Sequence, residues 1–575
     1  MADGYKNFAL SIYCSAPCLN GQSLEQLDKD LGFLRKHLKI SKVYVESHRG
    51  PLSVGKERLL ELKQFFNSRG IETAGGITTT LPATYREGFE RIIGAICYTD
   101  NASREKIRGE VEKAASVFDE VILDDFYFTN CACDECIKQR GDRSWETFRL
   151  ELMTEVSQNL VIKPAKAVNP RVKMIIKYPN WIESFQGTGY NTESQPPIFD
   201  GVYTGTETRD PAISQQHIPR YASYSLLRWL DHVKPGKNGG GWLDALDCTT
   251  IDHYLEQAYL TLFGKAREVT LYNFALHKDS LYVPPLGFQL EKLDSLVGEC
   301  GKPLGVCFYD PHHAKGEDHL QNYLGMIGIP FEATPIFPDA ATEKILFLTA
   351  GAAIDEKIIS RLKTFLSAGG KAIITSGFLS RMAGKGIEEF TTMRATDHRI
   401  AVNQFAIDTN ICTFDEFSPH TAAINFPVID YCTNGSWQSI VGFNGDNNIP
   451  ILMWDNYSRG KLYTLAVPEN FADFSKLPAL VLNKIRSTFC QHLPVHLDGP
   501  GDVSLFMYDN DTFIVETFAK TPRKWKLRIP KGASLTRIFG KGKEAARESE
   551  SDTQVVYEIR MPPLTFQAFK ISRSA

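Results

Sequence analysis

The segment EVILDDFYFTNCACDEC, residues 120–136, decides more of the predicted fold than any other part of the chain. It begins with a short apolar run that is typical of a buried strand, and the run ends in two adjacent carboxylates, Asp124 and Asp125. In α/β enzymes with parallel strands, the catalytic side chains follow the carboxyl ends of the strands. We therefore predict that this strand ends at an active site.

Similar apolar runs recur through residues 1–275, and amphipathic segments with helical spacing lie between them. The predicted strands are Phe8–Cys14, Lys42–Glu46, Glu72–Ile77, Glu120–Asp125, Val172–Tyr178, Phe199–Thr204, Gly239–Leu243 and Glu268–Phe274. The predicted helices are Leu24–Leu38, Gly55–Ser68, Ser103–Phe118, Ser144–Ala167, His217–His232 and Thr249–Phe263. Eight strands with helices between them match the size of a TIM (β/α)₈ barrel, and the strand count favours it over a doubly wound open sheet. The seventh strand has the weakest pattern.

The predicted strand ends are unusually polar, which indicates a pocket that binds a sugar through its hydroxyl groups and through aromatic stacking. The candidates for substrate binding are Glu46, His48, Arg49, Lys177, Trp181, Arg209, Trp242, Asp244 and Asn273. A barrel enzyme would combine them with a catalytic carboxylate, and Asp124 and Asp125 are the first candidates. Because side chains alternate along a strand, only one of these two aspartates is expected to point inward at a given level.

Three cysteines follow the carboxylates as a Cys-x-Cys-x-x-Cys cluster, Cys131, Cys133 and Cys136. Thiols at this spacing are typical of a structural zinc site, and packing explains three of them in one polar turn poorly. A fourth thiolate would complete the site and leave no open position for catalysis. Cys14 and Cys18, at the end of the first strand, are candidates for that ligand.

Composition argues against two classes of partner. The net charge is −4, and no long basic run suggests nucleic acid. No apolar stretch is long enough to span a membrane. The N-terminal segment lacks the pattern of a secretory signal, and the scattered cysteines suggest reduced thiols. We expect a cytoplasmic protein, or a periplasmic one if a signal peptide has been removed.

The second half of the chain changes character. From Gly301 onward, short apolar runs with turn glycines alternate with helices, which predicts a flavodoxin-like α/β domain. From about Val495 the apolar residues recur with period two, which predicts a small antiparallel β-sandwich. The predicted domains are residues 1–295 for the barrel, 296–490 for the α/β domain and 491–575 for the β-sandwich.

This order of domains, together with the cysteine cluster after strand four, resembles the family 42 β-galactosidases. The resemblance implies a zinc site in which Cys97 is the fourth ligand of Cys131, Cys133 and Cys136. It also implies a middle domain similar to the glutamine amidotransferases and a homo-oligomer, either a trimer or a dimer. That family has Asn-Glu at the end of strand four, where this chain has Asp124-Asp125, so β-galactoside specificity does not carry over.

An Asp at the end of strand four also resembles the retaining α-glycosidases of the α-galactosidase and α-glucosidase type. In those enzymes this Asp is the nucleophile, and the acid/base follows strand six, where this chain has Glu207. The resemblance implies an exo-acting, retaining glycosidase that uses Asp124 or Asp125 with Glu207. Asp200, Asp210, Glu46 and Asp244 are alternatives to Glu207.

Three functional classes follow from these patterns. The first is a glycoside hydrolase that removes a terminal sugar from an oligosaccharide or another glycoside. The second is a barrel that binds carbohydrate without cleaving it. The third is a hydrolase or lyase with a catalytic metal at the rim of the barrel. The first accounts for most of the residues, because it uses the paired carboxylates and the polar rim together.

Overall fold

The computed structural model describes residues 4–80, 95–410, 413–445, 447–540 and 544–573. The chain forms two compact units, Met1–Gly298 and Glu299–Ala575. None of the helices in the described ranges is both long enough and apolar enough to cross a membrane.

The first unit is a closed barrel of eight parallel strands, labelled β1 to β8 in chain order. They are Ala9–Cys14, Lys42–Arg49, Glu72–Ile77, Glu120–Leu123, Lys173–Tyr178, Gly201–Gly205, Asn238–Asp244 and Glu268–Tyr272. The barrel closes because β1 pairs with both β2 and β8, so that Tyr13 lies opposite Tyr44 on one side and Tyr272 on the other. This closure confirms the predicted TIM barrel and excludes the open sheet. A short strand, Leu52–Ser53, pairs with the end of β2.

Helices separate most of these strands. The longer ones are Leu24–Arg35, Lys56–Asn67, Asn101–Val117, Trp145–Val156, Ala222–Val233, Ile251–Phe263 and Val283–Glu299. A π-helical segment, Ser157–Ile162, joins Trp145–Val156 to a further helix, Lys163–Val168. The short helices are Ala16–Asn20, Asp134–Arg140, Phe185–Thr188, Gln195–Ile198 and Phe274–His277. Polar caps begin several of them, as where Asp100 accepts a hydrogen bond from the backbone N–H of Ser103.

One layer of large side chains fills the barrel interior. It consists of Tyr13, Tyr44, Ala74, Ile122, Ile175, Tyr203 and Trp242, with Tyr272 packed against them. Because the side chains of a strand alternate, residues two positions further along point to the same interior. Ile122 is therefore followed inside the barrel by Asp124, and Ile175 by Lys177. The apolar layer thus supports a charged layer at the carboxyl ends of the strands.

Among its described residues, the second unit contains a nine-stranded mixed sheet and three antiparallel sheets, of five, four and two strands. In the mixed sheet, five parallel strands are followed by four antiparallel ones, in the order Phe331–Thr334, Val306–Tyr309, Ile345–Leu348, Lys371–Thr375, Gly460–Leu465, Asn447–Tyr457, Trp437–Asn444, Gln404–Asn410 and Thr413–Phe417. A separate pair, Arg394–Val402 with Ile424–Asp430, adds to this part of the unit. Its helices include Leu320–Gly325, Ile358–Ser367, Ser376–Arg381 and Ala479–Phe489.

The C-terminal part of this unit is antiparallel, as predicted. One sheet has the order Pro303–Leu304, Val503–Tyr508, Thr512–Thr517, Phe566–Arg573 and Ala533–Gly540. The other has the order His496–Asp498, Arg523–Pro530, Gln554–Met561 and Ala546–Glu550. The predicted domain boundary at residue 490 lies within this compact unit and stays a prediction.

Candidate active site

A cavity of about 230 Å³ lies at the carboxyl ends of the barrel strands. It is smaller than the roughly 300–1,000 Å³ of sites for drug-sized ligands, so it suits a ligand of about one sugar ring. The lining residues are Arg49, Asp124, Asp125, Phe126, Lys177, Pro179, Asn180, Trp181, Glu207, Arg209, Gln215, Gln216, Trp242, Asp244, Leu246 and Tyr272. In TIM-barrel enzymes the active site lies at the carboxyl ends of the strands, and this cavity lies at that end.

Lys177 is the centre of the site. Its Nζ lies 2.8 Å from Oδ2 of Asp125, 2.8 Å from Oε1 of Glu207 and 3.6 Å from Oδ1 of Asp124. The Lys177 side chain is 1% exposed. Burial opposes its charge, but the three carboxylates outweigh burial and raise the pKa of Lys177 well above its ordinary value. A permanently charged ammonium group therefore holds three carboxylates around one point.

Asp124 has a second cation on its other side. Arg49 donates to its Oδ2 at 2.8 Å, and the Thr78 hydroxyl lies 3.1 Å from the same oxygen. The backbone N–H of Asp125 donates to Oδ1 at 2.9 Å. Burial alone would raise the pKa of Asp124, but Lys177 and Arg49 outweigh it and lower that pKa below its ordinary value. Asp124 is therefore ionised at neutral pH.

The other two carboxyl groups are shifted in the opposite direction. Burial raises the pKa of Asp125 to about 7, and the charges of Asp124 and Glu207 add to the shift, although Lys177 opposes it. Burial also raises the pKa of Glu207, against the effect of Lys177. Carboxyl groups whose environments move their pKa values apart are suited to separate roles as base or nucleophile and as acid.

The loop after β6 positions Glu207. A Cβ atom on Gly205 would lie 2.7 Å from Oε2 of Glu207, so the glycine leaves room for this carboxyl group. Asn180 donates to the backbone carbonyl of Glu207 at 2.7 Å. Arg209, in the same loop, donates to both carboxylate oxygens of Asp244 at 2.9 and 2.8 Å. The loops after β6 and β7 are thereby fixed together beside the cavity.

Trp242 forms part of the cavity floor, but its ring face is already occupied. Its ring packs 4.7 Å from that of Tyr13 and 5.6 Å from that of Tyr272, measured between centroids. The ammonium group of Lys177 lies 4.1 Å from the Trp242 ring centroid, which is a cation–π contact. Trp242 therefore supports Lys177 and offers no free face on which a sugar could stack.

Nine of the twelve predicted site residues line the cavity, and Glu46, His48 and Asn273 do not. Glu46 is fully buried behind it and accepts hydrogen bonds from Tyr13 at 2.7 Å and from Arg49 at 3.0 Å. His48 is fully buried and lies 2.8 Å from the backbone carbonyl of Thr78, because the register of β2 against β3 shifts between Glu46 and His48. Asn273 caps the helix Phe274–His277. These three residues support the framework, which corrects their predicted role in contacting substrate.

The sequence did not nominate several lining residues, chiefly Phe126, Gln215, Gln216 and Leu246. Phe126 directly follows Asp125 in the chain. Its position next to the paired carboxylates could therefore have predicted that it lines the cavity. Gln215, Gln216 and Leu246 lie in the loops after β6 and β7. Their approach to the cavity depends on how those loops fold, and no pattern in the sequence indicates it.

The four cysteines of the predicted metal site converge beside β4. The Sγ atoms of Cys97, Cys133 and Cys136 lie 3.7 Å from one another, and those of all four, including Cys131, lie within 4.8 Å of one another. The edge of a tetrahedron with Zn–S bonds of about 2.3 Å is about 3.8 Å long, so the spacing fits a metal bound by four thiolates. The alternatives, Cys14 and Cys18, are not part of this group.

Comparison with known proteins agrees with this geometry. Residues 1–282 match the family model described as "Probable glycosyl hydrolase, catalytic domain". The barrel is a glycoside hydrolase catalytic domain. Residues 301–470 of the same glycosidase match a model described as the second domain of the uncharacterized protein SSO3021, and residues 494–571 match "Probable glycosyl hydrolase, C-terminal domain".

Relatives of the glycosidase extend over most of its length. The uncharacterized protein SSO3021 of Saccharolobus solfataricus is 25% identical over 535 residues, which cover 85% of this chain and 87% of that protein. Among solved structures, α-L-fucosidase isoenzyme 2 from Paenibacillus thiaminolyticus has a TM-score of 0.66 at 10% identity and covers 99% of this chain and 100% of its own. Gan42B, a GH42 β-galactosidase from G. stearothermophilus, has a TM-score of 0.65 at 13% identity, with 99% of each chain covered. At these identities the two structures show a shared fold.

Proposed function

We propose that the chain is an exo-acting, retaining glycosidase in which Asp124 is the nucleophile and Glu207 is the acid/base. The observation that carries the proposal is the convergence of Asp124 and Glu207 on Lys177 with pKa shifts in opposite directions. Retaining hydrolysis needs an ionised carboxylate and a protonated one about 5–5.5 Å apart. Lys177 Nζ lies 2.8 Å from Glu207 and 3.6 Å from Asp124. Two carboxyl groups this close to one ammonium group fit a separation of this order between them.

In the first step, the Asp124 carboxylate attacks the anomeric carbon while Glu207 gives its proton to the glycosidic oxygen. The bond to the leaving group breaks, and a glycosyl ester on Asp124 forms. In the second step, Glu207 takes a proton from water, and the water oxygen displaces Asp124 from the sugar. Lys177 and Arg49 keep Asp124 ionised and help it to leave. The size of the cavity supports a single terminal sugar ring there.

Asp125 is the alternative to Glu207 as the acid, because its pKa is also raised. Asp124 rather than Asp125 is proposed as the nucleophile, because Asp124 continues the inward register of Ile122. The Asp125 side chain is 19% exposed and lies nearer the mouth. Azide rescue separates the three roles, because azide replaces a missing nucleophile or attacks in place of the water that the base would activate.

The first measurement is a screen with 4-nitrophenyl glycosides, including the α-L-fucoside and the β-D-galactoside, with NMR of the first-formed anomer. Retention of configuration is expected. Asp124→Ala with azide should give a glycosyl azide of inverted configuration, and Glu207→Ala with azide should give one of retained configuration. If Asp125→Ala gives the retained azide instead, the acid/base role moves to Asp125. If no glycoside in the panel is cleaved, the proposal is wrong.

We also propose that Cys97, Cys131, Cys133 and Cys136 hold one structural Zn²⁺. The ion would cross-link the loop after β4 to the start of the helix Asn101–Val117 and would take no part in the reaction. The Thr99 hydroxyl lies 3.1 Å from the Sγ atoms of Cys97 and Cys136, so it can donate to a thiolate and support the ligands. The predicted sugar substrate belongs to the glycosidase proposal above. The predicted homo-oligomer stays a prediction.

Elemental analysis should find one zinc ion per chain, and Cys136→Ser should lose it and unfold at a lower temperature. Cys18→Ser is the matched control, because Cys18 is outside the cluster, and it should keep the ion. Chelation should reduce activity only as fast as the protein unfolds. A protein that purifies without bound metal and keeps its melting temperature after chelation would contradict the zinc proposal.

A further inference from the structure

Strand β2 carries one extra residue next to the cavity. Glu46 and His48 lie opposite two consecutive residues of β3, so Ser47, between them, is an extra residue in β2. Such a β-bulge changes which of the following side chains face inward. Without it, alternation from Glu46 would point His48 into the barrel and Arg49 out of it. The bulge reverses this order, because Arg49 lines the cavity and His48 does not.

The inward turn of Arg49 brings its guanidinium group to the proposed nucleophile. Its Nη2 lies 2.8 Å from Oδ2 of Asp124 and 2.9 Å from Oε1 of Glu46. Its Nε donates to both carboxylate oxygens of Glu46 at 3.0 Å. Burial opposes the ionisation of Asp124, and the charges of Lys177 and Arg49 lower its pKa. The ionisation of Asp124 therefore depends on the bulge that points Arg49 inward.

Side-chain hydrogen bonds from both residues of the bulge hold it against β3. The Ser47 hydroxyl donates to the carbonyl of Gly76 at 3.2 Å. The Nδ1 atom of His48 lies 2.8 Å from the carbonyl oxygen of Thr78, directly after β3. The backbone N–H of Thr78 donates in turn to the carbonyl of His48 at 2.9 Å. His48 is thus bound to Thr78 through both its side chain and its backbone.

The hydrogen bond of His48, rather than its volume, explains a histidine at this position. His48 is fully buried, and burial lowers its pKa, so the ring is neutral at pH 7. Because Nδ1 faces a carbonyl oxygen, Nδ1 carries the hydrogen and donates it. Nε2 is buried and has no hydrogen-bond partner among the described residues. An unpaired buried nitrogen costs free energy that a leucine in the same space would avoid.

We infer that His48 is a positioning residue for the proposed reaction, because its bond to Thr78 fixes the bulge that turns Arg49 onto Asp124. This inference rests on the proposed function and adds a residue outside the cavity that controls the nucleophile. His48 does not touch the substrate and acts through Arg49. Without the bond from His48, Arg49 should move away, and Asp124 should then keep its proton up to a higher pH.

The test compares two substitutions of His48 in the full-length protein, with a 4-nitrophenyl glycoside that the unchanged protein cleaves. His48→Leu removes the donor and keeps an apolar side chain, and it should lower kcat/KM by about 10- to 100-fold. The acidic limb of its pH profile of kcat/KM reports the pKa of Asp124 in the free enzyme, and this limb should move up by about one pH unit or more. His48→Asn places an amide N–H near the position of Nδ1 and should restore most of both properties.

His277→Leu is the matched control. His277 is also fully buried, its Nδ1 also lies 2.8 Å from a backbone carbonyl, that of Asn273, and it does not line the cavity. This variant should leave the acidic limb unchanged. Ser47→Ala weakens the same bulge without adding volume, and it should shift the limb in the same direction as His48→Leu. It decides the question if His48→Leu does not fold.

A double-mutant cycle with Arg49→Met tests whether His48 acts through Arg49. Adding His48→Leu to Arg49→Met should change kcat/KM by less than about threefold, because the contact with Asp124 is already lost. A further loss of about tenfold or more would overturn the inference and leave the proposed function standing. So would an unshifted acidic limb in His48→Leu, or in Ser47→Ala if His48→Leu does not fold. If the unchanged protein cleaves no glycoside, the proposed function fails, and the inference fails with it.

Discussion

The barrel holds a lysine between carboxylates at each of its two ends. At the carboxyl ends of the strands, Lys177 lies 2.8 Å from both Asp125 and Glu207. At the amino ends, Lys42 lies 2.8 Å from Glu120 and 2.7 Å from Glu268. The ion pairs are nearly identical in length, so the ion-pair geometry alone does not distinguish a catalytic site from a structural one.

The partners of the carboxylates distinguish the two ends. Glu268 also accepts hydrogen bonds from the hydroxyl groups of Ser11, Tyr44 and Tyr203 at 2.9 to 3.1 Å, so the protein itself satisfies this carboxylate. At the other end, Asp125 and Glu207 line the sugar-sized cavity with raised pKa values. We infer that the Lys42 cluster stabilises the barrel and that the Lys177 cluster performs the chemistry.

Cavity size alone would point to the amino ends of the strands. A cavity of about 480 Å³ lies at the amino ends, where Lys42 and Glu120 line it with Lys63, Glu72 and Arg171. It is about twice as large as the cavity at the carboxyl ends. The position of a cavity relative to strand direction is the better guide, because the loops after the strands carry the catalytic side chains in this fold.

The largest expected difference between the two ends is in activity. Asp124→Asn should lower kcat by about 10⁴-fold, because the proposed nucleophile is lost while the shape of the side chain is kept. Glu120→Gln is the matched control at the other end, and it should change kcat less than threefold. Steady-state kinetics with a cleaved 4-nitrophenyl glycoside measure both. Equal losses would mean that the two clusters do not differ in role.

The next largest effect concerns the lysines themselves. Lys177→Met leaves three buried carboxylates without their shared cation, which should lower the free energy of unfolding by about 3–5 kcal/mol at pH 7. The loss should be smaller at pH 5, because protonation relieves the repulsion. Lys42→Met should cost less, because the Lys42 side chain is 16% exposed. Urea unfolding at both pH values tests this, and a larger cost for Lys42→Met would contradict it.

The smallest effect is a pH dependence that arises from Asp125. Its pKa is about 7 in the folded barrel, whereas an unfolded Asp titrates near about 3.9. Between these values the folded state keeps a proton that the unfolded state has lost, so this group destabilises the fold as the pH rises from about 4 to about 7. Asp125→Asn removes that slope. The melting temperature of the variant minus that of the unchanged protein should therefore be larger at pH 7 than at pH 5.

The pH dependence of stability that arises from Asp124 has the opposite sign, because the pKa of Asp124 is lowered in the folded state. Its contribution is fully present above about pH 4 and is lost as the pH falls through its folded pKa. Asp124→Asn should therefore destabilise the protein at pH 7 and have less effect in strong acid. The two neighbouring substitutions should thus shift the stability profile in opposite directions. Identical profiles for both variants would show that the two aspartates share one environment.

Much of the barrel follows from sequence, because each strand is a local pattern. All eight strands lie within a few residues of their predicted limits, and the seventh, with the weakest pattern, is Asn238–Asp244. The cysteine spacing and the polar strand ends are equally local. The predicted substrate contacts failed where the direction of a side chain changes within one or two residues. His48 is an example, because the register of β2 shifts there and the side chain does not line the cavity.

The sequence by itself determined where the strands lie, which of their ends carry charge and that Cys131, Cys133 and Cys136 form one cluster. These properties depend on residues that are close together in the chain. The tertiary structure decided that Lys177 joins Asp124, Asp125 and Glu207, that Arg49 holds Asp124 and that Trp242 is covered. Those contacts join residues from different strands, and their distances are fixed only when β1 pairs with β8 and the barrel closes.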